Sequence, residues 1–273
     1  PSSIYTGIPV KIIRKPLICW ADTETANINL SFSLPFISSL IVSNTFLLNV
    51  NNSIKEIRYN GYKEIAYCHP NWFIPDPEIL KNIGIEQGEK IILMRFSALK
   101  AIHDIGLESY SENKAQLLGY IKQLEKHARI FISMTEKDLG KEFEKYQLDI
   151  HPADYIHLLA NCSLYIGEGT TTASEAGVLG IPWIALRSHA LGYLKDQEFN
   201  YHLGFRTDNI KKAFKQVLKW IQDDTILSKW EIKREKLLQD KIDVSAFLIW
   251  FIENYPRSHK IMKENPDYQN RFK

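Results

Sequence analysis

The sequence predicts an α/β protein whose larger part is a doubly wound parallel sheet. Three observations carry that expectation. Apolar strand-like runs at residues 90–95, 129–134, 163–166 and 183–186 alternate with helical segments at 112–127, 137–146, 152–160 and 171–179, and strands separated by helices of this length build parallel sheets. Residues 164–176 read as a short strand, a glycine-hydroxyl turn and the opening of a helix that stops at Gly180, with Pro182 starting the next strand. Residues 67–77 hold three prolines together with His69, Asn71 and Trp72, the pattern of an extended connection between domains.

In chain order, residues 1–15 read as the end of a helix or as loop, and 16–20 as a strand. Asp22, Thr23 and Glu24 sit just beyond that strand's carboxyl end. Further strands are expected at 39–42 and 54–59, with Gly61 turning the chain. Three strands are few for an independent domain. Residues 1–66 are therefore expected to form the C-terminal part of a first Rossmann-like domain, the alternative being a small α+β subdomain complete in itself. After the 67–77 linker, the second Rossmann-like domain spans 78–254. It closes with helices at 209–223, 226–239 and 244–254, and Pro256 leads into a polar tail at 255–273. No internal repeat or low-complexity segment interrupts this order.

Composition narrows the class. With 45% hydrophobic and 24% charged residues, the 273-residue chain has the make-up of a soluble globular protein. A formal charge of +2 gives no electrostatic case for nucleic acid. The most apolar stretch, 244–252, is too short to span a bilayer and contains Ser245. Cys19, Cys68 and Cys162 are far apart and form no C-x-x-C pair, which points to reduced residues of a cytoplasmic protein. The chain opens on Pro1, so an N-terminal targeting segment is left open. No His, Cys, Asp or Glu group has metal-ligand spacing, and oligomeric state is not written in these residues.

The glycine-hydroxyl turn is the centre of the chain. A strand that enters a helix through small residues presents unpaired amide N–H groups and the positive end of the helix dipole. Gly167 and Gly169 would let a ligand approach the backbone, and Thr170, Thr171 and Thr172 add hydroxyls. Glu175 follows in the helix, where a carboxylate repels phosphate but accepts hydrogen bonds from a sugar diol. Diphosphate at the turn and ribose at Glu175 is one reading; an ordinary βα turn with a threonine cap is the other.

The pattern Gly169, Thr172, Ser174, Glu175, then Gly180-Ile181-Pro182, resembles the nucleotide-sugar motif of GT-B-fold enzymes. It is similar to that of MurG-type N-acetylglucosaminyltransferases and, more loosely, to that of UDP-N-acetylglucosamine 2-epimerases. The whole chain resembles an uncharacterised, domain-of-unknown-function family of GT-B-like archaeal and bacterial proteins. The residues carrying that likeness are Asp22-Thr23-Glu24, residues 67–70, Met94-Arg95-Phe96, His103-Asp104, Gly167-Glu168-Gly169 and Lys241-Ile242-Asp243. The resemblance implies a nucleotide-diphosphate sugar as substrate, UDP-linked, with diphosphate at Gly169 to Thr172 and ribose at Glu175. It also implies metal-independent chemistry without a cofactor, and a base held near Leu148, Ile150 and His151. It departs at one place: six residues separate Glu168 from Glu175 where many GT-B enzymes have seven.

Other residues complete the expected site. Arg95, Ser97, Lys100, His103 and Asp104 follow the strand at 90–95, and Arg95 or Lys100 could neutralise a diphosphate. His103 could serve as general base with Asp104 beside it, or the pair could cap a solvated loop. Ser133, Thr135 and Glu136 end the next strand and form another rim of the crevice. His151 precedes Pro152 and either faces the base or caps the helix. Asp22 and Glu24 are candidates to deprotonate an acceptor hydroxyl or a sugar carbon, or they make an Asx-type turn. The lysine-rich stretch 211–241 also holds Asp223, Asp224, Glu231 and Glu235, a solvated helix face rather than a binding patch. The expected function is transfer of a sugar to an unknown hydroxyl acceptor, glycan or lipid-linked. The alternatives are a 2-epimerase or hydrolase type of enzyme and a non-catalytic nucleotide-binding protein. Residues 31–39 contain no carboxylate, which counts against the epimerase.

Overall fold

The computed structural model describes residues 4–22, 30, 32–48, 54–86, 88–96, 110–134, 140–186 and 191–273. In chain order the elements are α1 (Ile4–Ile12), β1 (Ile18–Ala21), β2 (Ser39–Ser43), β3 (Glu56–Tyr59), α2 (Ile65–Cys68) and α3 (Glu78–Asn82). Then come β4 (Ile91–Phe96), α4 (Tyr110–Leu124), β5 (Arg129–Met134), α5 (Tyr155–Ala160), β6 (Leu164–Gly167), α6 (Thr170–Val178) and β7 (Trp183–Leu186). The last are α7 (Gly192–Phe199), β8 (Gly204–Thr207), α8 (Ile210–Ile221), α9 (Ile226–Asp240), α10 (Val244–Glu253) and α11 (Arg257–Glu264). They form two compact units. One gathers Pro1–Trp72, Ala190–Asp196 and Leu237–Lys273, and the other Phe73–His189 and Gln197–Lys236.

The second unit holds a five-stranded, wholly parallel sheet in the order β5-β4-β6-β7-β8. Its apolar residues alternate between faces, as a pleated strand requires. Ile92, Met94, Phe96, Leu164, Ile166, Ile184 and Leu186 join one cluster with Leu117, Ile121 and Leu124 of α4 and with α8. Helix α8 buries Ile210, Ala213, Phe214, Val217 and Ile221, spaced three and four apart, while its lysines lie on the other side, the solvated face the sequence predicts. Each of the isoleucine, phenylalanine and valine side chains contributes about 1.5–3 kcal/mol on burial, so this stripe rather than helix propensity holds α8 in place. Asn209 caps it by accepting from the Lys212 amide at 2.9 Å. Helix α6 lies against β6 and β7.

The sequence predicts only helices after residue 186, whereas the structure adds α7 and the strand β8. β8 is four residues long, half-buried, and contains Gly204 and Arg206, so it lacks the apolar run that marks an interior strand. Gly204 is there because a Cβ would lie 1.9 Å from the Trp183 indole. Of the helix expected at 137–146, the described residues form a 3₁₀ segment, Lys141–Tyr146, preceded by Gly140 at φ 91°. That conformation breaks a right-handed helix.

The first unit contains a three-stranded parallel sheet, β1-β2-β3, over a core of Cys19, Leu30, Ile37, Leu40, Val42 and Phe46. The expected division into 78–254 and a polar tail is corrected here: Leu237–Lys273 groups with the N-terminal strands. Residues 257–264 are helical and Pro266–Phe272 is a 3₁₀ segment. Phe272 and Tyr268 pack on Trp250 at 5.4 and 4.9 Å between ring centroids, and Phe247 stacks on Tyr59 of β3 at 6.1 Å. Ser39 at the start of β2 bonds His259 Nδ1 at 2.7 Å. Three strands bury enough surface to be stable only when such a covering layer is supplied, and the chain's own C-terminal arm supplies it. The polar composition of that arm conceals the few aromatics that anchor it.

Candidate functional site

In a sheet ordered β5-β4-β6-β7-β8, the connections leave β4 and β6 in opposite directions, and that divergence is where open α/β sheets hold ligands. The residues there are Arg95 and the Gly167-Glu168-Gly169 turn. They are register neighbours: Arg95 pairs with Gly167 across β4 and β6, and the Glu168 amide donates to the Arg95 carbonyl at 2.9 Å. The sequence places both groups at strand ends; the topology makes the strands adjacent.

Gly167 has a different role from the expected one. It is buried, and a Cβ built on it would lie 2.2 Å from the Arg95 carbonyl oxygen and 2.8 Å from Tyr165 Oη. Close approach at this position is to β4 rather than to a ligand. At Gly169 a Cβ would lie 2.9 Å from Tyr165 Oη and 3.1 Å from Arg95 Cδ. Tyr165 donates its hydroxyl to the Gly169 carbonyl at 3.1 Å and so ties the turn to its own strand. Burial pushes its pKa well above the usual tyrosine range, so it remains a neutral donor.

Gly169 is the N-cap of α6, and among the described residues no side chain caps that end. The opening amides of a nine-residue helix therefore keep their donors directed outward. Arg95 Nη1 donates to Thr172 Oγ1 at 3.1 Å, and its guanidinium carbon lies 5.8 Å from the centre of the Tyr155 ring. Among the described residues no carboxylate pairs with Arg95. A half-buried guanidinium beside uncapped amides, with only neutral partners, is arranged to receive an anion. Burial drives the Tyr155 pKa up to about 12, partly offset by the Arg95 charge. Tyr155 and Tyr165 are the members of this site that sequence reasoning missed. For Tyr165 the signal was a phenol inside an otherwise apolar strand, which when buried needs a polar partner nearby.

The hydroxyl residues of α6 divide by depth. Thr170 is half-buried, Thr171 exposed, and Thr172 buried against Arg95. Ser174 is fully buried and its Oγ accepts from Gln197 Nε2 at 2.8 Å, while Gln197 Oε1 accepts from the Trp183 indole at 3.0 Å. Its expected contact with a ligand is corrected to a structural one, because the helix turns that side chain into the protein. Glu175 is half-buried, four residues after Thr171 and so on the same face of α6. Ser133 is half-buried and aligned with Arg95 across β4 and β5. His151 is exposed, and its Nδ1 accepts the Ala153 amide at 3.2 Å. Of its two expected roles, the structure displays the cap. The amide of Leu148, one of the residues expected near the base, donates to Ile132 O at 2.9 Å. Asp22 directly follows β1 and forms an ion pair with Lys63 at 2.6 Å. Glu24, Ser97, Lys100, His103, Asp104, Thr135 and Glu136 lie outside the described residues. Among the described residues, no three His, Cys, Asp or Glu side chains are grouped to hold a metal ion, and no helix is long and apolar enough to cross a membrane.

Two parallel-sheet units, one carrying a glycine-hydroxyl turn at its switch point, define a protein of the GT-B-like class. By sequence the chain belongs to a family described as a protein of unknown function, DUF354, whose model matches residues 11–245. No curated protein matches it by sequence. Among solved structures it is similar to S. aureus MnaA bound to UDP, with a TM-score of 0.59 and 11% identity, covering 92% of this chain and 71% of that one. It is also similar to Anabaena HepE in complex with UDP-glucose, with a TM-score of 0.55 and 14% identity over 92% and 75% of the two chains. The UDP-GlcNAc 2-epimerase of Methanocaldococcus jannaschii gives 0.56 at 12% identity, over 80% and 67%. At these identities the likeness is one of fold.

Proposed function

We propose that the chain binds a nucleotide-diphosphate sugar at the β4/β6 switch point and transfers the sugar to a hydroxyl acceptor, as a metal-independent GT-B-like glycosyltransferase. The observation carrying this reading is the Arg95 guanidinium, bonded among the described residues only to neutral Thr172 at 3.1 Å, beside the start of α6. Diphosphate oxygens accept from the amides at the start of α6 and from Arg95. As the sugar–phosphate bond breaks, negative charge grows on the departing diphosphate, and these fixed donors meet it without reorganising. Glu175, one turn further along the same face, accepts from the ribose hydroxyls. Asp22, Glu24 and His103 are the candidates for deprotonating the acceptor, a glycan or lipid-linked hydroxyl. Solved relatives of the same fold that carry UDP support UDP as the nucleotide. Three free cysteines, all buried, support a reducing, cytoplasmic setting.

Titration calorimetry with UDP, GDP, TDP, CDP and ADP tests the donor site. UDP is expected to bind. Arg95→Ala should weaken it roughly tenfold to a hundredfold, the loss of one or two charge-assisted hydrogen bonds. Glu175→Ala should weaken nucleoside diphosphate while leaving inorganic diphosphate unchanged. Failure of all five to bind the folded wild type ends the proposal. Incubation of UDP-HexNAc in deuterated water separates transfer from epimerisation, because deuterium at sugar C2 would require the epimerase.

A further inference from the structure

We propose that Tyr155 is a positioning residue for this anion site: its ring holds the Arg95 guanidinium at the mouth of α6, and it acts on the ligand only through Arg95. The inference rests on the nucleoside diphosphate reading given above.

Three observations lead to it. The Arg95 side chain makes a single hydrogen bond, to Thr172, and no ion pair among the described residues. An arginine side chain held at one neutral point retains several rotamers, and fixing it is costly in entropy. The second restraint is the aromatic face 5.8 Å from its guanidinium carbon, an attraction that strengthens where water is excluded. Tyr155 itself is delivered by a rigid lead-in: His151 caps the Pro152–Asp154 turn, and Tyr155 opens α5 directly behind it. The place from which its ring extends is therefore set by backbone rather than by the arginine.

The phenol hydroxyl is buried near the Thr172 and Arg95 side chains, but within hydrogen-bond distance of no group among the described residues. The ring, not the hydroxyl, is thus the part in use. This defines a pair of substitutions with opposite outcomes. Tyr155→Phe keeps the face and removes only an unpartnered group. Tyr155→Leu removes the face.

The test is UDP and uridine binding by calorimetry on wild type, Tyr155→Phe, Tyr155→Leu, Arg95→Ala and the Tyr155→Leu/Arg95→Ala double variant. Tyr155→Phe should bind UDP within about twofold of wild type, and Tyr155→Leu roughly tenfold more weakly. Uridine binding should be equal in all of them. In the Arg95→Ala background, Tyr155→Leu should change nothing further, the signature of one residue acting through another. The proposal is overturned if Tyr155→Leu binds UDP like wild type, or if it weakens UDP by the same factor with and without Arg95. Equal loss of uridine and UDP overturns it too, since that marks a general disturbance of the fold. Thermal unfolding checks each variant, and Tyr155→Met carries the same expectation should the leucine variant fail to fold. A wild type that binds no nucleoside diphosphate defeats the donor-site reading itself, a result distinct from any pattern among the variants.

Discussion

Gly167→Ala is expected to destabilise the protein by about 3 kcal/mol or more, at the upper end of what overpacking costs. The added methyl would lie 2.2 Å from the Arg95 carbonyl oxygen and 2.9 Å from the Arg95 amide nitrogen. Both are backbone atoms of a central strand paired with β5 on one side and β6 on the other, so neither side can yield cheaply. A third obstacle, Tyr165 Oη at 2.8 Å, also holds the Gly169 carbonyl. Relief of the clash must separate β4 from β6 or displace the turn, and either movement takes Arg95 away from Thr172. UDP binding should therefore fall with stability. Gly119 in α4 is the control: nothing lies within 4 Å of its Cβ position. Gly119→Ala should stabilise by about 0.5–1 kcal/mol through helix propensity. Urea unfolding midpoints of the two variants check both signs, and a Gly167→Ala midpoint equal to wild type would refute the packing account.

That glycine also shows how far the sequence could be read. The strand–glycine–helix spacing of residues 164–176 locates the turn and its helix without any structure. It does not say which strand lies beside β6, and that neighbour decides whether Gly167 is small for a ligand or for Arg95. Ser174 fails for a related reason. Within the motif it stands one residue from Glu175, yet the helix rotates by about 100° per residue and turns it inward to Gln197. The pairing of Arg95 with the turn was legible as a juxtaposition of strand ends, because carboxyl ends of a parallel sheet share one edge. β8 was not legible, since an edge strand with Gly204 and Arg206 carries no apolar run. Nor was the return of the C-terminal arm to the first unit, which depends on contacts more than 200 residues apart in sequence, such as Ser39 to His259.

The tripeptide Lys241-Ile242-Asp243 is where that return is fastened, and Asp243→Ala is expected to cost about 3 kcal/mol, the sum of a lost helix cap and of charge-assisted hydrogen bonds. Each of the three residues holds a different piece of the first unit. Lys241 pairs with Asp196 at 2.8 Å, and Tyr62 donates to the same carboxylate. The Ile242 amide donates to Asn60 O at 3.0 Å. Asp243 has only 8% exposure. Its carboxylate caps α10 through the Ala246 amide at 2.9 Å and accepts from Asn71 Nδ2 at 2.9 Å and the Trp72 indole at 2.8 Å. Burial alone would raise its pKa, but the Ala246, Asn71 and Trp72 donors and the His69 charge outweigh it, leaving the carboxyl below its ordinary 3.8. A carboxyl depressed in the folded state contributes fully above that ordinary value, and the contribution disappears as pH falls through the lower folded one. Wild type should therefore lose more stability than Asp243→Asn between about pH 5 and pH 3, with the gap between them narrowing as acid is added. Asn71→Ala removes one donor and should lower stability by about 1 kcal/mol at neutral pH. Denaturant unfolding at a series of pH values reads all three variants. Parallel stability curves for wild type and Asp243→Asn would show that the charge at this position does not hold the arm.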